Sequence, residues 1–313
     1  MNESVLVLTL AAAVITGTPI ALAALGALLN ERAGVLNLGI EGIMLVGAVS
    51  AFLGAQATGS PLLGLVVGGV AGAVLASLHG FLCVTMRANQ VVSGLALVIF
   101  GTGVAVFLGQ PVEGQSLATD DRLARTAVPL LEQIPAVGRI LFQQDLVVYG
   151  SWVLVAACAF YLARTRTGLA VRAVGESPAT ADAAGIRVAL VRYVHVALGG
   201  ALAGMGGAYI TVRGAPWDQA ATTGGRGWIA IALVVFASWR PLRALAGAFL
   251  FGVALRANFA LQAAEIRIVP PQFLTMLPYV LTIAVLVVLS ATDTRRRLGA
   301  PAALGTPFVR DER

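Results

Sequence analysis

The chain has 313 residues, of which 58% are hydrophobic and only 12% are charged. A soluble domain carries roughly 25% charged residues, so this composition excludes an ordinary soluble protein and indicates a polytopic membrane protein. The net charge of +6 comes from Arg alone, and a chain without Lys cannot form a nucleotide-binding P-loop, whose Lys contacts the phosphates. The Arg residues lie between apolar segments, which favours a membrane-orientation signal over nucleic-acid binding.

Apolar segments long enough to cross a bilayer recur along the whole chain. They predict nine spans, at about residues 4–29, 35–57, 61–85, 91–109, 146–163, 193–212, 226–239, 244–262 and 276–291. The predicted fold class is therefore all-α: a polytopic membrane helical bundle of about nine transmembrane helices. The whole of 1–313 is predicted to be one polytopic transmembrane domain.

The second span contains two polar residues inside the apolar stretch "ERAGVLNLGIEGIMLVGA", residues 31–48. Asn37 and Glu41 are four positions apart, so they share one face of a helix. An ionised Glu in lipid costs several kcal/mol unless it faces the bundle interior and finds partners. Two interpretations follow for Glu41: it lines a polar pathway, or it braces one helix against another.

Two further polar clusters interrupt the apolar pattern. One begins the fourth span with Asn89, Gln90 and Ser93, and the other lies in "TTGGRGW", residues 222–228. The glycines of the latter predict a broken or re-entrant segment, which is tolerated where it lines a cavity or is buried in protein. A pathway for a polar solute needs amide, hydroxyl and aromatic groups in an apolar setting. The candidate pathway residues are Asn37, Glu41, Asn89, Gln90, Ser93, Thr223 and Trp228. For Arg226, as for Glu41, a structural brace is the alternative.

Small residues recur every fourth position in two segments, as Gly64, Gly68 and Gly72 and as Gly199, Ala203 and Gly207. Such rows predict close helix packing and need no further function. The same interpretation is favoured for His79 and His195, which have no second His nearby in sequence, so no metal site is predicted.

The connection 164–192, "RTRTGLAVRAVGESPATADAAGIRVALVR", is too polar to cross the membrane. Inside it, Ser177 is a good N-cap, Pro178 suits the first helical position and Gly185 suits the stop. A short capped helix flanked by Arg favours docking to a partner over a simple solvated loop. The residues assigned to this docking role are Gly175, Glu176, Ser177, Pro178, Ala181, Asp182 and Gly185.

The distribution of Arg predicts the orientation of the chain. The connection 164–192, the short one at Arg240 and Arg243, and the tail 292–313 are richest in Arg and are placed in the cytoplasm. The N-terminus is then outside and the C-terminus inside. The connection 110–145 becomes the long outer loop, either a plain surface loop or part of a platform for a partner protein.

Several motifs occur in a characteristic order: "ERAGVLNLGIEGIMLVGA", "RANQVVSGLAL", "RAVGESPATADAAGI" with "RYVHVALGGALAGMGGAYI", and "GGRGWIAIALVVFASWRPLRALAGAFLFG". From about residue 20 to residue 290 the chain resembles the permease subunits of ABC importers in the branched-chain amino acid, ribose and nucleoside group. These motifs, with "LTMLPYVLT" at 274–282, resemble most the simple-sugar and nucleoside branch.

The resemblance implies a passive translocation subunit in the bacterial cytoplasmic (inner) membrane. It implies a cytoplasmic ABC ATPase that binds the coupling helix at about 175–185, a second and non-identical permease subunit, and an extracytoplasmic substrate-binding protein. No cofactor is expected on this chain, because ATP would be used by the partner subunit.

Two other classes remain as alternatives. An ion-coupled secondary transporter of a small polar solute usually needs intramembrane acids, and Glu41 is the acid that the pattern places well inside a span. An intramembrane enzyme would need a nucleophile with a base or a metal cluster, and the sequence offers no such constellation.

Overall fold

The computed structural model describes residues 3–118, 122–219, 221–263 and 299–309, with the single positions 276, 280, 283 and 287. Within these residues the chain forms α-helices with the following bounds: α1 Glu3–Arg32, α2 Ile40–Thr58, α3 Pro61–Gly80, α4 Gln90–Gly109, α5 Leu146–Arg164, α6 Arg166–Glu176, α7 Pro178–Ala183, α8 Val188–Val212, α9 Arg226–Phe236 and α10 Pro241–Ala263. A π-helical turn, Phe81–Thr85, continues α3, and two short strands, β1 Arg125–Ala127 and β2 Gln143–Asp145, pair antiparallel.

The predicted all-α membrane bundle is confirmed. Each of the first eight predicted spans corresponds to one helix, and six helices are long and apolar enough to cross a membrane by length and composition: α1 to α5 and α8. The predicted ninth span, 276–291, lies outside the described residues except at the four single positions. The number of nine crossings therefore stays a prediction.

Two predicted span starts were wrong by several residues. The sixth span was expected to begin at about residue 193, but α8 begins at Val188. The second span was expected to begin at about residue 35, but α2 begins only at Ile40. Residues 33–39 form an open connection instead, with Gly34 at φ +79°. The cause is tertiary, because side chains of α3 and α4 bond the backbone of this connection, as described below.

The core forms where α8 packs against α1, α2 and α3. The predicted rows of small residues lie at these contacts: a Cβ on Gly68 would lie 2.6 Å from the carbonyl oxygen of Gly47, and one on Gly72 would lie 2.7 Å from Cα of Gly204. Small residues thus let the helix backbones touch, as the spacing predicts. The outward faces of α3, α4 and α5 carry exposed apolar side chains such as Val74, Ile99 and Val153, as expected next to lipid.

The bundle has two distinguishable ends. At one end, called here the α7 end, α1 finishes and α4 and α8 begin. The tail 299–309 lies against them there, because the Thr306 carbonyl accepts hydrogen bonds from Gln90 Nε2 and Arg192 Nη1. At the opposite end, called here the β end, the N–H of Leu123 donates to the carbonyl of Val212 where α8 finishes.

The short helix predicted in the connection 164–192 is confirmed as α7. The N–H of Thr180 donates to Ser177 Oγ at 3.4 Å, and Pro178 occupies the first turn, where its missing N–H costs nothing. Gly185 follows with φ +83°, the left-handed conformation that favours glycine after a helix.

Candidate functional site

Glu41 lies in the first turn of α2 and is 93% buried. Its Oε1 accepts hydrogen bonds from the Thr223 hydroxyl at 2.6 Å and from the Gly225 N–H at 3.0 Å. Its Oε2 accepts one from the Gly227 N–H at 2.6 Å. The carboxylate is therefore held by three donors of the segment that was predicted to be broken.

The break itself comes from glycine. Gly224 and Gly225 adopt φ +55° and +78°, and α9 begins only at Arg226. The first N–H groups of a helix have no partner within it and carry partial positive charge. Glu41 supplies the missing negative acceptor from another helix, so it acts as the N-terminal cap of α9.

This junction lies at mid-length of the bundle. A Cβ on Gly42 would lie 2.8 Å from the carbonyl oxygen of Leu97 and from Cα of Val98, near the centre of α4. From there α9 extends for 11 residues, roughly 16 Å, to the α7 end. That is about half of a bilayer core of roughly 30 Å. The structure thus places the starts of α2 and α9, both preceded by non-helical chain, inside the bundle and not at its α7 end.

A second polar cluster fixes the connection before α2. The N–H of Leu36 donates to Gln90 Oε1 at 2.7 Å, and the Leu36 carbonyl lies 3.0 Å from His79 Nε2. The other ring nitrogen of His79 lies 3.0 Å from Ser93 Oγ. Both backbone groups of Leu36 are satisfied by side chains of α3 and α4, which explains why this stretch leaves the helical conformation.

The predicted pathway residues separate into two groups. Glu41, Thr223, Gln90 and Ser93 are buried and hydrogen-bonded within the chain, and Asn89 accepts from the N–H groups of Val91 and Val92 as the N-cap of α4. Their polar atoms hold helix ends in this conformation, which is the bracing role that was left open for Glu41.

Asn37 and Trp228 form the other group. Asn37 Oδ1 accepts from the Gly39 N–H at 2.8 Å, but its buried Nδ2 has no hydrogen-bond partner in the described part of the chain. The Trp228 side chain is 40% exposed at the start of α9. Asn37 thus keeps a buried amide group without a partner among the described residues, and Trp228 keeps an exposed aromatic surface.

Arg226 combines bracing with exposure to a cavity. Its Nη1 donates to the carbonyls of Thr222 and Thr223, at 2.9 and 2.8 Å. It also lines a cavity of about 430 Å³ with Tyr209 and Arg213. The cavity lies on the β-end side of the α9 start, since Arg213 forms an ion pair with Asp145 at 3.3 Å.

The residues predicted to couple to a partner differ in their exposure. Glu176 and Gly185 are exposed, but a Cβ on Gly175 would meet the backbone of Arg32, and Ala181 is 97% buried against Val188 and neighbouring apolar side chains. Ser177 and Pro178 shape the start of α7, and Asp182 lines a neighbouring cavity. The outward face of α7 instead presents Ala179, Thr180 and Ala183.

Sequence reasoning missed two buried acids. Glu31 Oε2 accepts from Trp239 Nε1 at 2.6 Å, and Asp145 Oδ2 accepts from the Tyr209 hydroxyl at 2.6 Å. These pairs are 208 and 64 positions apart in sequence, so no local pattern reveals them. The described residues contain no cluster of three or more His, Cys, Asp or Glu that could hold a metal ion.

Comparison with known proteins decides the family. The model of a family described as the permease component of the branched-chain amino acid transport system matches residues 9–286. The chain belongs to this permease family. It is a multi-pass membrane protein and, as a permease, a transport component rather than an enzyme.

Three relatives of this permease match it over nearly the whole length of both chains. TsgC13 of Haloferax volcanii, named for a glucose ABC transporter, is 38% identical over 96% of this chain and 97% of its own length. The nucleoside ABC transporter permease protein NupC of Lactococcus lactis is 34% identical over 95% of each chain. The guanosine ABC transporter permease protein NupQ of Bacillus subtilis is 33% identical over 96% of each. The permease is accordingly of the ABC-importer type.

A solved structure supports the fold of the permease. A metal-chelate type ABC transporter in an inward-facing conformation matches 90% of this chain and 85% of its own, with a TM-score of 0.52 at 14% identity. At this identity the likeness concerns the arrangement of helices alone.

Proposed function

We propose that this permease forms the translocation pathway of an ATP-driven importer whose substrate is a nucleoside or a simple sugar. Three relatives that match at full length are named for glucose, nucleoside and guanosine transport. These solutes are neutral and rich in hydroxyl groups, and they require hydrogen-bonding groups along an otherwise apolar path.

The observation that carries the proposal is the Glu41 junction, where the starts of α2 and α9 meet inside the bundle. Helices that are interrupted inside a membrane bring polar groups to a depth that continuous helices keep apolar. Asn37 Nδ2 and the Trp228 indole are the groups that we assign to the solute. Glu41, Thr223, Gln90, Ser93 and Asn89 are assigned to holding the pathway open as a rigid frame.

The energy source in this proposal is ATP hydrolysis by a separate cytoplasmic ATPase, with no cofactor on the permease itself. The ATPase would dock on α7 through Ala179, Thr180 and Ala183, which are exposed on its outer face. A second, non-identical permease subunit and an extracytoplasmic binding protein complete the assembly. The binding protein would contact the connection 110–145 at the β end, with the N-terminus outside and the C-terminus in the cytoplasm.

The ion-coupled alternative depends on an acid that can exchange an ion. Both carboxylate oxygens of Glu41 are already occupied by donors of the α9 start. A carboxylate held in this way supports a structural role, because releasing it would leave two backbone N–H groups without an acceptor.

The test is uptake by proteoliposomes that contain the assembled complex. Labelled guanosine, other nucleosides and glucose are supplied with the binding protein outside and ATP inside, and ion gradients are collapsed with ionophores. We expect uptake that requires ATP and persists without a gradient. Uptake that follows an ion gradient and ignores ATP would refute the proposal, and ATP-driven uptake of other solutes alone would refute its substrate class.

A further inference from the structure

A cavity of about 560 Å³ lies at the α7 end, outside the candidate pathway. The π-helical turn after α3, the connection between α7 and α8, and Phe308 of the tail form its walls. Three arginines line it: Arg87, Arg187 and Arg192.

Of the three arginines, Arg192 gives the strongest indication of a ligand. It is 99% buried in α8, and its Nη1 donates to the carbonyl of Thr306 at 3.4 Å. Its Nε and Nη2 are buried and have no hydrogen-bond partner among the described residues. Buried guanidinium donors without an acceptor are costly, so Nε and Nη2 call for an acceptor that the described residues do not provide.

The charges around the cavity remain unbalanced. Arg87 and Arg187 are exposed at its rim, and Asp182 is the one acid among the described residues that line it. Asp182 already has an interaction of its own within the chain. One carboxylate therefore faces three guanidinium groups, and the excess positive charge favours an anion in the space.

The geometry points to a phosphate group as the ligand. Guanidinium groups bind phosphate oxygens through paired, charge-assisted hydrogen bonds, and Arg suits this recognition better than any other side chain. We propose that this cavity, built on Arg87, Arg187 and Arg192, is a binding site for a phosphate anion beside α7.

The surroundings favour a phospholipid headgroup as the source of the phosphate. Leu190 lines the cavity and is 49% exposed, and Phe81 and Met86 are exposed on the turn that walls it. An apolar surface next to a basic pocket suits acyl chains next to a headgroup, and basic pockets between membrane helices bind acidic lipids. The other source with the same chemistry is a free phosphate or nucleotide.

A bound phosphate would stiffen the link between α7 and the bundle. Ala181 of α7 belongs to one small apolar cluster with Val188 of α8, and Phe308 packs against that cluster. Phe308 and Arg192 also line the cavity. The ligand would thus join the docking helix to α8 and to the tail, whatever solute the permease carries.

The experiment titrates the purified full-length permease, in zwitterionic detergent, with phosphatidylglycerol or phosphatidylcholine and counts retained lipid by native mass spectrometry. The same protein is melted with and without inorganic phosphate. The Arg87→Gln/Arg187→Gln double variant removes the rim cations without changing the buried core, and Arg192→Gln removes the buried one. Arg166→Gln, an exposed Arg of α6 that does not line the cavity, is the matched control.

We expect wild type and Arg166→Gln to retain phosphatidylglycerol over phosphatidylcholine, and the rim variant to bind it about tenfold less tightly. Selective retention without any effect of inorganic phosphate identifies the lipid source. Stabilisation by inorganic phosphate, lost in the rim variant, identifies a free phosphate. Equal behaviour of the rim variant and wild type toward both probes overturns the site.

The sequence following Phe308 includes Asp311 and Glu312. An Asp311→Asn/Glu312→Gln variant tests whether the chain's own carboxylates fill the cavity. Binding of either probe in that variant but not in wild type would overturn the proposal of an external phosphate ligand. Equal binding in both would support it.

Discussion

The backbone N–H of Gly227 donates to Glu41 Oε2 at 2.6 Å, across 186 positions of sequence. The two residues also touch through their backbones, since a Cβ on Gly227 would lie 2.6 Å from Cα of Glu41. The starts of α2 and α9 are thus joined by a hydrogen bond and by van der Waals contact at once. Movement of one helix start requires movement of the other.

Replacing Glu41 by Gln should destabilise the permease. An amide offers one acceptor oxygen and would point its NH₂ toward an N–H donor, leaving at least one buried group unsatisfied at a cost of about 1–3 kcal/mol. We expect a lower melting temperature of the purified protein. Glu132→Gln is the control, because Glu132 lies in a short 3-10 turn, Leu131–Gln133, none of whose residues is buried. Equal melting of Glu41→Gln and wild type would contradict the capping role.

Gly227→Ala should lower the yield of folded protein. The added methyl would overlap backbone atoms of Glu41 that cannot move independently, and overpacking typically costs about 1–3 kcal/mol. The control is Gly103→Ala in α4, where a Cβ meets nothing within 4 Å and alanine favours the helix. Fluorescence-detected size-exclusion chromatography measures both yields. A monodisperse peak of wild-type height for Gly227→Ala would show that the junction is looser than described.

Gln90→Leu tests whether the Gln90 side chain holds the helix frame or lines the solute path. The substitution leaves the Leu36 N–H without its acceptor, so we expect less folded protein and normal uptake per folded complex. Gln110→Leu, at the other and exposed end of α4, should leave both quantities unchanged. Normal folding with lost uptake would instead place Gln90 on the solute path, which is the role that the sequence pattern predicts for it.

The docking face of α7 can be tested by comparing two alanines. Ala183→Arg places charge on the exposed face and should abolish co-purification of the ATPase while the permease stays folded. Ala181→Arg would place charge in the cluster around Val188 and should unfold α7 itself. Thr167→Arg on exposed α6 is the control. Retention of the ATPase by Ala183→Arg would remove this face from the interface.

The orientation is tested with single cysteines in a background where Cys83 and Cys158 are replaced. Ser116 and Thr167 are both exposed, at the β end and the α7 end respectively. We expect an impermeant maleimide added to intact cells to label Ser116→Cys only, and Thr167→Cys to react after permeabilisation. Labelling of both cysteines from outside would contradict the predicted topology.

The helices were predictable from sequence because their signals are local. Long apolar runs predicted α1, α3, α4 and α5 closely, and the cap residues Ser177 and Gly185 predicted α7. The glycines at 224 and 225 predicted the break before α9. Each of these features depends on residues within a few positions of one another, where propensity, capping and hydrophobicity act directly.

The sequence also determined that Asn37, Glu41, Gln90, Ser93 and Thr223 had to face protein, because lipid does not satisfy polar groups. Which groups they contact was decided only by the tertiary structure. Glu41 meets Thr223 across 182 positions, and Gln90 meets Leu36 across 54. Such partners depend on how helices pack. Small residues on α2, α3 and α8 permit that packing, but their positions do not indicate which polar residues it brings together. The burial of Ala181 has the same origin, because the side of a two-turn helix that faces the bundle is chosen by its neighbours Val188 and Phe308 and not by its own six residues.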